Sequence, residues 1–346
     1  MKRGRGGSTA SGVARDGAGG LMLPARTIPV PASISPAARQ ALAQPAMDAP
    51  LIWPTSSDSA DWKPFIADCD AALAAVFDAQ PPFAGRIEND VLGGVPAFAL
   101  LPDTMPAANG DCAILYVHGG GFVMGGGDLA AKAAQVYAAF AAMAVFAVDY
   151  RLAPDHPYPA ALDDVVAACR GLAERYAPDK IAIVGISAGA ALAASALLRL
   201  RDLGLPLPAA AILLTPEADL TESGDSFETN RDIDVVLQRR PTEPTLLYAG
   251  GHDLRDPYLS PLFGDFGRGF PPTLLISGTR DLFLSNTVRL HRALRRAGIF
   301  ADLHVFEAMP HGGFFGAPED AESMAEQTAF LVNRLRAEPR AQRRRT

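Results

Sequence analysis

Between residues 86 and 306 short apolar runs alternate with longer helix-like segments, and this alternation leaves the chain few ways to fold. The runs at 112–117, 181–184 and 210–214 are almost wholly apolar, as parallel strands covered on both faces are. Further strand-like runs fall at 86–91, 95–101, 144–149, 273–277 and 302–306. Helical periodicity occupies 128–142, 159–176, 188–203 and 285–298. The first two strands are close enough to form a hairpin around Gly93-Gly94. The rest repeats strand and helix, which predicts an α/β fold: an eight-stranded, mostly parallel sheet with helices on both faces. The chain has 346 residues, 49% of them hydrophobic, enough to bury one large core.

One connection is too long for a simple link. More than fifty residues separate Leu214 from Thr273, and a stretch of that length is usually an inserted functional element. Two helix-like segments precede the sheet, at 36–48 and 61–79. In the second, Trp62, Phe65, Ile66, Cys69, Leu73, Val76 and Phe77 recur at helical spacing. These helices and the insertion are expected to lie together over the C-terminal edge of the sheet.

The formal net charge is −7. Lys2, Arg3, Arg5 and Arg15 outnumber Asp16 at one end, and Arg340, Arg343, Arg344 and Arg345 outnumber Glu338 at the other. The body between is therefore more acidic than the total, which argues against a nucleic-acid or anionic-membrane surface. The basic ends read as solvated tails. Cys69, Cys112 and Cys169 show no paired short spacing, so zinc and redox motifs are excluded. Cys112 and Cys169 lie in apolar surroundings and read as core residues, in keeping with a reducing cytoplasm. The N-terminus has no apolar signal region, and no apolar run reaches the length of a membrane span.

The chemistry gathers at strand ends. The run at 181–184 passes into Gly185-Ile186-Ser187-Ala188-Gly189 and then an Ala/Leu helix. That is G-x-S-x-G in the strand–turn–helix setting the motif requires. A serine there sits on a tight turn with its hydroxyl above the sheet, beside helix N–H groups that favour negative charge. Upstream, His118-Gly119-Gly120-Gly121-Phe122 follows the run 112–117. Glycines at a strand end let backbone N–H groups turn into a site. Gly119 and Gly120, with Ala188, are the predicted oxyanion donors. A phosphate-cradling turn is the other reading of such a run, but the P-loop lysine is absent.

A serine nucleophile needs a base and an orienting acid. Of six histidines, only His311 follows the last predicted strand, where an α/β-hydrolase carries its base. His304 lies inside that strand, His291 on a helix, His156 in a Pro-rich loop and His252 in the insertion, while His118 braces its own loop. Asp281 stands just past the run 273–277, and Ser187, Asp281, His311 follow the order of that fold.

Four blocks together make the chain resemble the bacterial hormone-sensitive-lipase-like esterases. They are His118-Gly119-Gly120-Gly121-Phe122, Asp149-Tyr150-Arg151-Leu152-Ala153-Pro154, Gly185-Ile186-Ser187-Ala188-Gly189, and Gly278 with Asp281 followed by His311-Gly312. The stretch with His156, Pro157, Pro159, Asp163 and Asp164, and the pairs Asp256-Pro257 and Ser260-Pro261, are similar too. The chain departs from that family at Ile186, where Asp or Thr is usual, at Ala190, where Gly is usual, and at Thr215-Pro216-Glu217, where Ser-Pro-Trp is common. The resemblance implies hydrolysis of carboxylic esters with short to medium acyl chains, without metal or cofactor. It implies that Asp149, Tyr150 and Arg151 brace the active-site loops; the departure at Glu217 is expected either to bear on substrate choice or to pair with an arginine.

The resulting division is a disordered extension over 1–23 (with Met22 as an alternative start), N-terminal cap helices over 24–85, a catalytic domain over 86–336 with a cap insertion at about 216–262, and a basic disordered tail over 337–346. The expected partner is a small ester, in a cytoplasmic protein that takes no nucleic acid and inserts in no membrane; relatives often form homodimers. The same serine machinery also serves lactone, amide and carbamate hydrolysis. A binding-only receptor on this fold would lack the base, and His311 is present.

Overall fold

The computed structural model describes residues 14–43, 52–55 and 58–336. The expected disordered extension falls outside the described residues as far as 13, and the basic tail 337–346 falls wholly outside them. Ala14–Arg15 and Leu21–Met22 pair as a short antiparallel ribbon.

Eight strands form the main sheet: β1 Gly85–Leu92, β2 Val95–Pro102, β3 Ala113–Val117, β4 Ala144–Val148, β5 Ile181–Ile186, β6 Ala210–Leu214, β7 Thr273–Gly278 and β8 Ala301–Phe306. Their order across the sheet is β1-β2-β4-β3-β5-β6-β7-β8. The pairs β1/β2 and β2/β4 are antiparallel, and all others are parallel. Gly185 of β5 is level with Val117 of β3 and Leu213 of β6. The loops that follow these three strands therefore leave the sheet side by side.

The helices are α1 Pro36–Ala43, α2 Ser59–Asp78, α3 Asp128–Ala141, α4 Ala160–Ala173, α5 Ala188–Asp202, α6 Ser226–Thr229, α7 Thr242–Ala249, α8 Leu284–Arg296 and α9 Pro318–Leu335. The pleat of the sheet decides which helix meets which side chain. Ile114 and Tyr116 pack with Ala134 and Tyr137 of α3 and with Phe330 and Leu331 of α9. Ala113, Leu115 and Val117 pack on the other face with Leu162 of α4, Leu192 of α5 and Leu290 of α8. Each fully buried leucine contributes roughly 1.5–3 kcal/mol. The helix expected over 36–48 is described over Pro36–Ala43, and residues 44–48 lie outside the described ones. Helix α9 was not anticipated. Pro318 opens it, and Asp320 accepts from the amides of Phe314, Gly316 and Ala317 ahead of it.

Two segments that contribute no strand to the main sheet meet above its C-terminal edge. Trp53, Trp62 and Phe65 form an aromatic cluster, with ring centroids 5.5–6.3 Å apart. The chain between β6 and β7 carries α6 and α7. A Cβ on Gly121 would lie 3.7 Å from Pro244 of α7 and 3.8 Å from Trp53, so both segments close over the loop after β3. Asp70 of α2 ties them in further, accepting from the amide of Gly125 at 3.0 Å. Among the described residues no helix is long and apolar enough to cross a membrane.

Candidate active site

Ser187 occupies the one-residue elbow between β5 and α5, with φ 56° and ψ −124°. A non-glycine residue there is strained, and the neighbours hold it. Its amide donates to Leu214 O at 2.9 Å, and its carbonyl accepts from the amides of Ala190 and Ala191. The small flanking residues follow from crowding. A Cβ on Gly189 would sit 2.1 Å from His118 O, and one on Gly185 would sit 2.4 Å from Gly189 O.

The loop after β3 comes against the elbow. Gly120 has φ +115°, and a Cβ on it would lie 2.2 Å from Met124 O, so the turn admits only glycine. The amides of Gly119, Gly120 and Ala188 donate to no other group among the described residues. A Cβ on Gly119 would lie 3.2 Å from that of Ser187, so the loop and the elbow touch. His118 is buried and stacked on Tyr150, with centroids 4.1 Å apart. Its Nδ1 lies 2.7 Å from Gly119 O, and burial pushes its imidazole down to about 4. A neutral ring facing a carbonyl must carry its proton on Nδ1, so His118 braces the loop. Tyr150 Oη donates to His118 O at 2.9 Å and Asp149 accepts from Gly127 N at 2.8 Å. Arg151 is different. It forms a forked pair with Asp164 of α4 and holds the 151–164 loop.

The loops after β7 and β8 bring the other two groups. His311 Nε2 lies 2.9 Å from Ser187 Oγ, and His311 Nδ1 lies 3.0 Å from Asp281 Oδ1. Asp281 is fully buried; it also accepts from the Phe283 amide at 2.9 Å and from Ser277 Oγ at 2.6 Å. Burial pulls the imidazole of His311 down. The hydrogen bond and charge of Asp281, with the charges of Asp234 and Glu217, outweigh it and leave His311 above its ordinary range. The remaining histidines lie elsewhere. His304 bonds Glu326, His291 faces Ala301 O, His252 faces Ala249 O, and His156 is exposed.

Two site features escaped the sequence reading, and a third, Glu217, was noticed without its partner. Ser277 holds the second oxygen of Asp281. Asp234, in the insertion, is fully buried and accepts from four backbone amides, those of Val236, Leu237, Leu282 and His311. Its partners at 282 and 311 are so distant in sequence that no local pattern marks it. Glu217 is buried, and its partner is Thr245 of α7 at 2.9 Å; the alternative of an arginine partner is not what the fold delivers. Burial pushes its carboxyl up to about 8. Asp234, Asp281 and His311 are the one trio of donors among the described residues clustered closely enough to consider as ion ligands. Their atoms already engage amides, Ser277, Ser187 and one another.

Residues 114–315 match a family model with the alpha/beta hydrolase fold. The crystal structure of an esterase from the bacterial hormone-sensitive lipase family superposes with a TM-score of 0.77 at 32% identity, covering 87% of this chain and 99% of that one. This chain belongs to the hormone-sensitive-lipase-like esterases. Another member of that fold, an esterase known from its crystal structure, is 35% identical with a TM-score of 0.85, over 91% of this chain and 98% of that one. An acetyl-hydrolase of Streptomyces hygroscopicus is 38% identical over 198 residues. That match takes in 56% of this chain and 65% of the acetyl-hydrolase, just under two thirds of its length.

Proposed function

We propose that the protein is a serine carboxylesterase acting on short- to medium-chain esters in the cytoplasm, with Ser187 as nucleophile, His311 as base and Asp281 as orienting acid. One observation carries the reading: the unbroken run from Ser187 Oγ through the imidazole of His311 to buried Asp281, at 2.9 and 3.0 Å. His311 takes the Ser187 proton as Oγ attacks the ester carbonyl. The oxyanion is received by the amides of Gly119, Gly120 and Ala188. His311 returns the proton to the leaving alkoxide, and a water activated by His311 then releases the acid from the acyl-enzyme. The raised basicity of His311 supports its role as proton acceptor. The acetyl-hydrolase among the relatives supports a short acyl group.

The test is a panel of nitrophenyl esters of increasing acyl length, with a lactone and an amide added, run on wild type and Ser187→Ala. Wild type is expected to prefer short acyl chains, and Ser187→Ala to lose about 10⁶ in kcat. Near-normal ester turnover by Ser187→Ala would overturn the assignment. Failure of wild type on every ester would turn the reading toward a binding-only role.

A further inference from the structure

Asp234 stands outside the triad, yet it touches both loops that build it. Its Oδ2 accepts from the amide of Leu282, the residue after the orienting acid, at 2.8 Å. Both oxygens lie 3.2 Å from the amide of His311 itself. Oδ1 also takes the amides of Val236 and Leu237, at 2.9 and 3.1 Å. With N–H donors converging on both oxygens, no acceptor is left to welcome a proton on the carboxyl, which favours its ionised form. Burial opposes that, and with the charge of Asp281 it leaves the carboxyl above its ordinary range, while the charge of His311 and the amides pull it back. The same segment adds a second clasp. Asn230 Nδ2 donates to the carbonyls of Asp281 at 2.8 Å and Thr279 at 3.2 Å. The stretch from 230 to 237 belongs to the insertion between β6 and β7, so the insertion reaches down and fastens the acid and base loops together.

We propose that Asp234 is a positioning residue, a second carboxylate of the site that sets the spacing of the Asp281 and His311 loops and stabilises the charged imidazole formed during the reaction. The titratable groups facing His311 are then Asp281 from the loop after β7, Asp234 from the insertion and Glu217 from the loop after β6. The proposal rests on the triad reading above.

The test uses the full chain with ¹⁵N-labelled histidine, the His311 signals being assigned against His311→Gln. Asp234→Asn and Asp234→Glu are compared with wild type for imidazole titration, thermal melting and the pH profile of kcat/KM. Removing the negative charge is expected to lower the His311 pKa by about one unit or more, to move the acid limb of the profile down with it, and to reduce kcat by about 10²-fold through misplacement. Asp234→Glu is expected to restore the titration. Should Asp234→Asn not fold, Asp234→Ser serves instead, since its hydroxyl still caps the 236–237 amides. A folded, uncharged variant whose His311 titrates as in wild type overturns the proposal, even if it melts earlier and turns over more slowly. The imidazole titration needs no substrate, so a wild type inactive on esters would sink the function reading without deciding this one.

Discussion

Replacing Asp281 by Asn tests the site more finely than removing the nucleophile does. The surroundings dictate how the new amide must lie. Asp281 Oδ1 receives two donors, the Phe283 amide and His311 Nδ1, whereas Oδ2 receives Ser277 Oγ. An NH₂ group in the Oδ1 position would face the Phe283 N–H, donor against donor. The carbonyl of the substituted side chain is therefore expected to keep the Oδ1 position, with its NH₂ turned to Ser277, whose hydroxyl can accept. The imidazole then retains its useful tautomer and loses the countercharge. Two unit charges about 4 Å apart at an effective dielectric of about 20 interact by about 4 kcal/mol, which is about 10³ in rate. Steady-state hydrolysis of nitrophenyl butyrate at pH 8 should show kcat of Asp281→Asn down by about 10³, with KM little changed. A loss as deep as that of Ser187→Ala would mean that the amide had flipped and forced the wrong tautomer. A loss under tenfold would refute the electrostatic argument.

Two further outcomes follow from titration. His311 lies above its ordinary range and acts only when neutral, so kcat/KM should fall on the acid side with an apparent pKa above 6.5; a limb at or below 6.5 contradicts the arrangement of carboxylates around the ring. Glu217 is an acid raised from 4.5 to about 8 in the folded state, so folding holds a proton that the unfolded chain releases between those values. Its contribution therefore turns against stability as pH rises from about 4.5 to about 8, and the melting temperature of wild type should drop relative to Glu217→Gln across that window, whereas parallel curves would show that the carboxyl is solvated.

The sheet was legible because its central strands are buried on both faces. Runs such as Ala113–Val117 and Ala210–Leu214 carry no polar residue to blur them. The meeting of Ser187, His311 and Asp281 was legible because each follows a strand at a place the chain order dictates. Helix α9 was not, because its buried face includes Ser323 and Gln327, and these break the apolar rhythm. Gln327 is buried to accept from Tyr137 Oη at 3.0 Å, a bond made across 190 residues. Asp234, and the Thr245 partner of Glu217, were opaque for the same reason. A carboxyl's worth depends on which amides and hydroxyls the fold brings to it, and those partners are remote in the chain. Arg151 shows the limit of arguing from likeness: it stands in a bracing motif, yet its side chain engages Asp164 of α4 and none of the loops that carry Ser187, Asp281 or His311.

The roof over Gly121 is assembled from Trp53 on one side and Pro244 on the other. The two come from stretches that add nothing to the main sheet, one before β1 and one between β6 and β7. The stretch before β1 is therefore free to diverge in length and composition without re-registering the strands, whereas the stretch between β6 and β7 also carries Asn230 and Asp234, which clasp the loops of Asp281 and His311. Changes to the first wall reshape the roof alone, whereas changes to the second also reach the loops that hold Asp281 and His311.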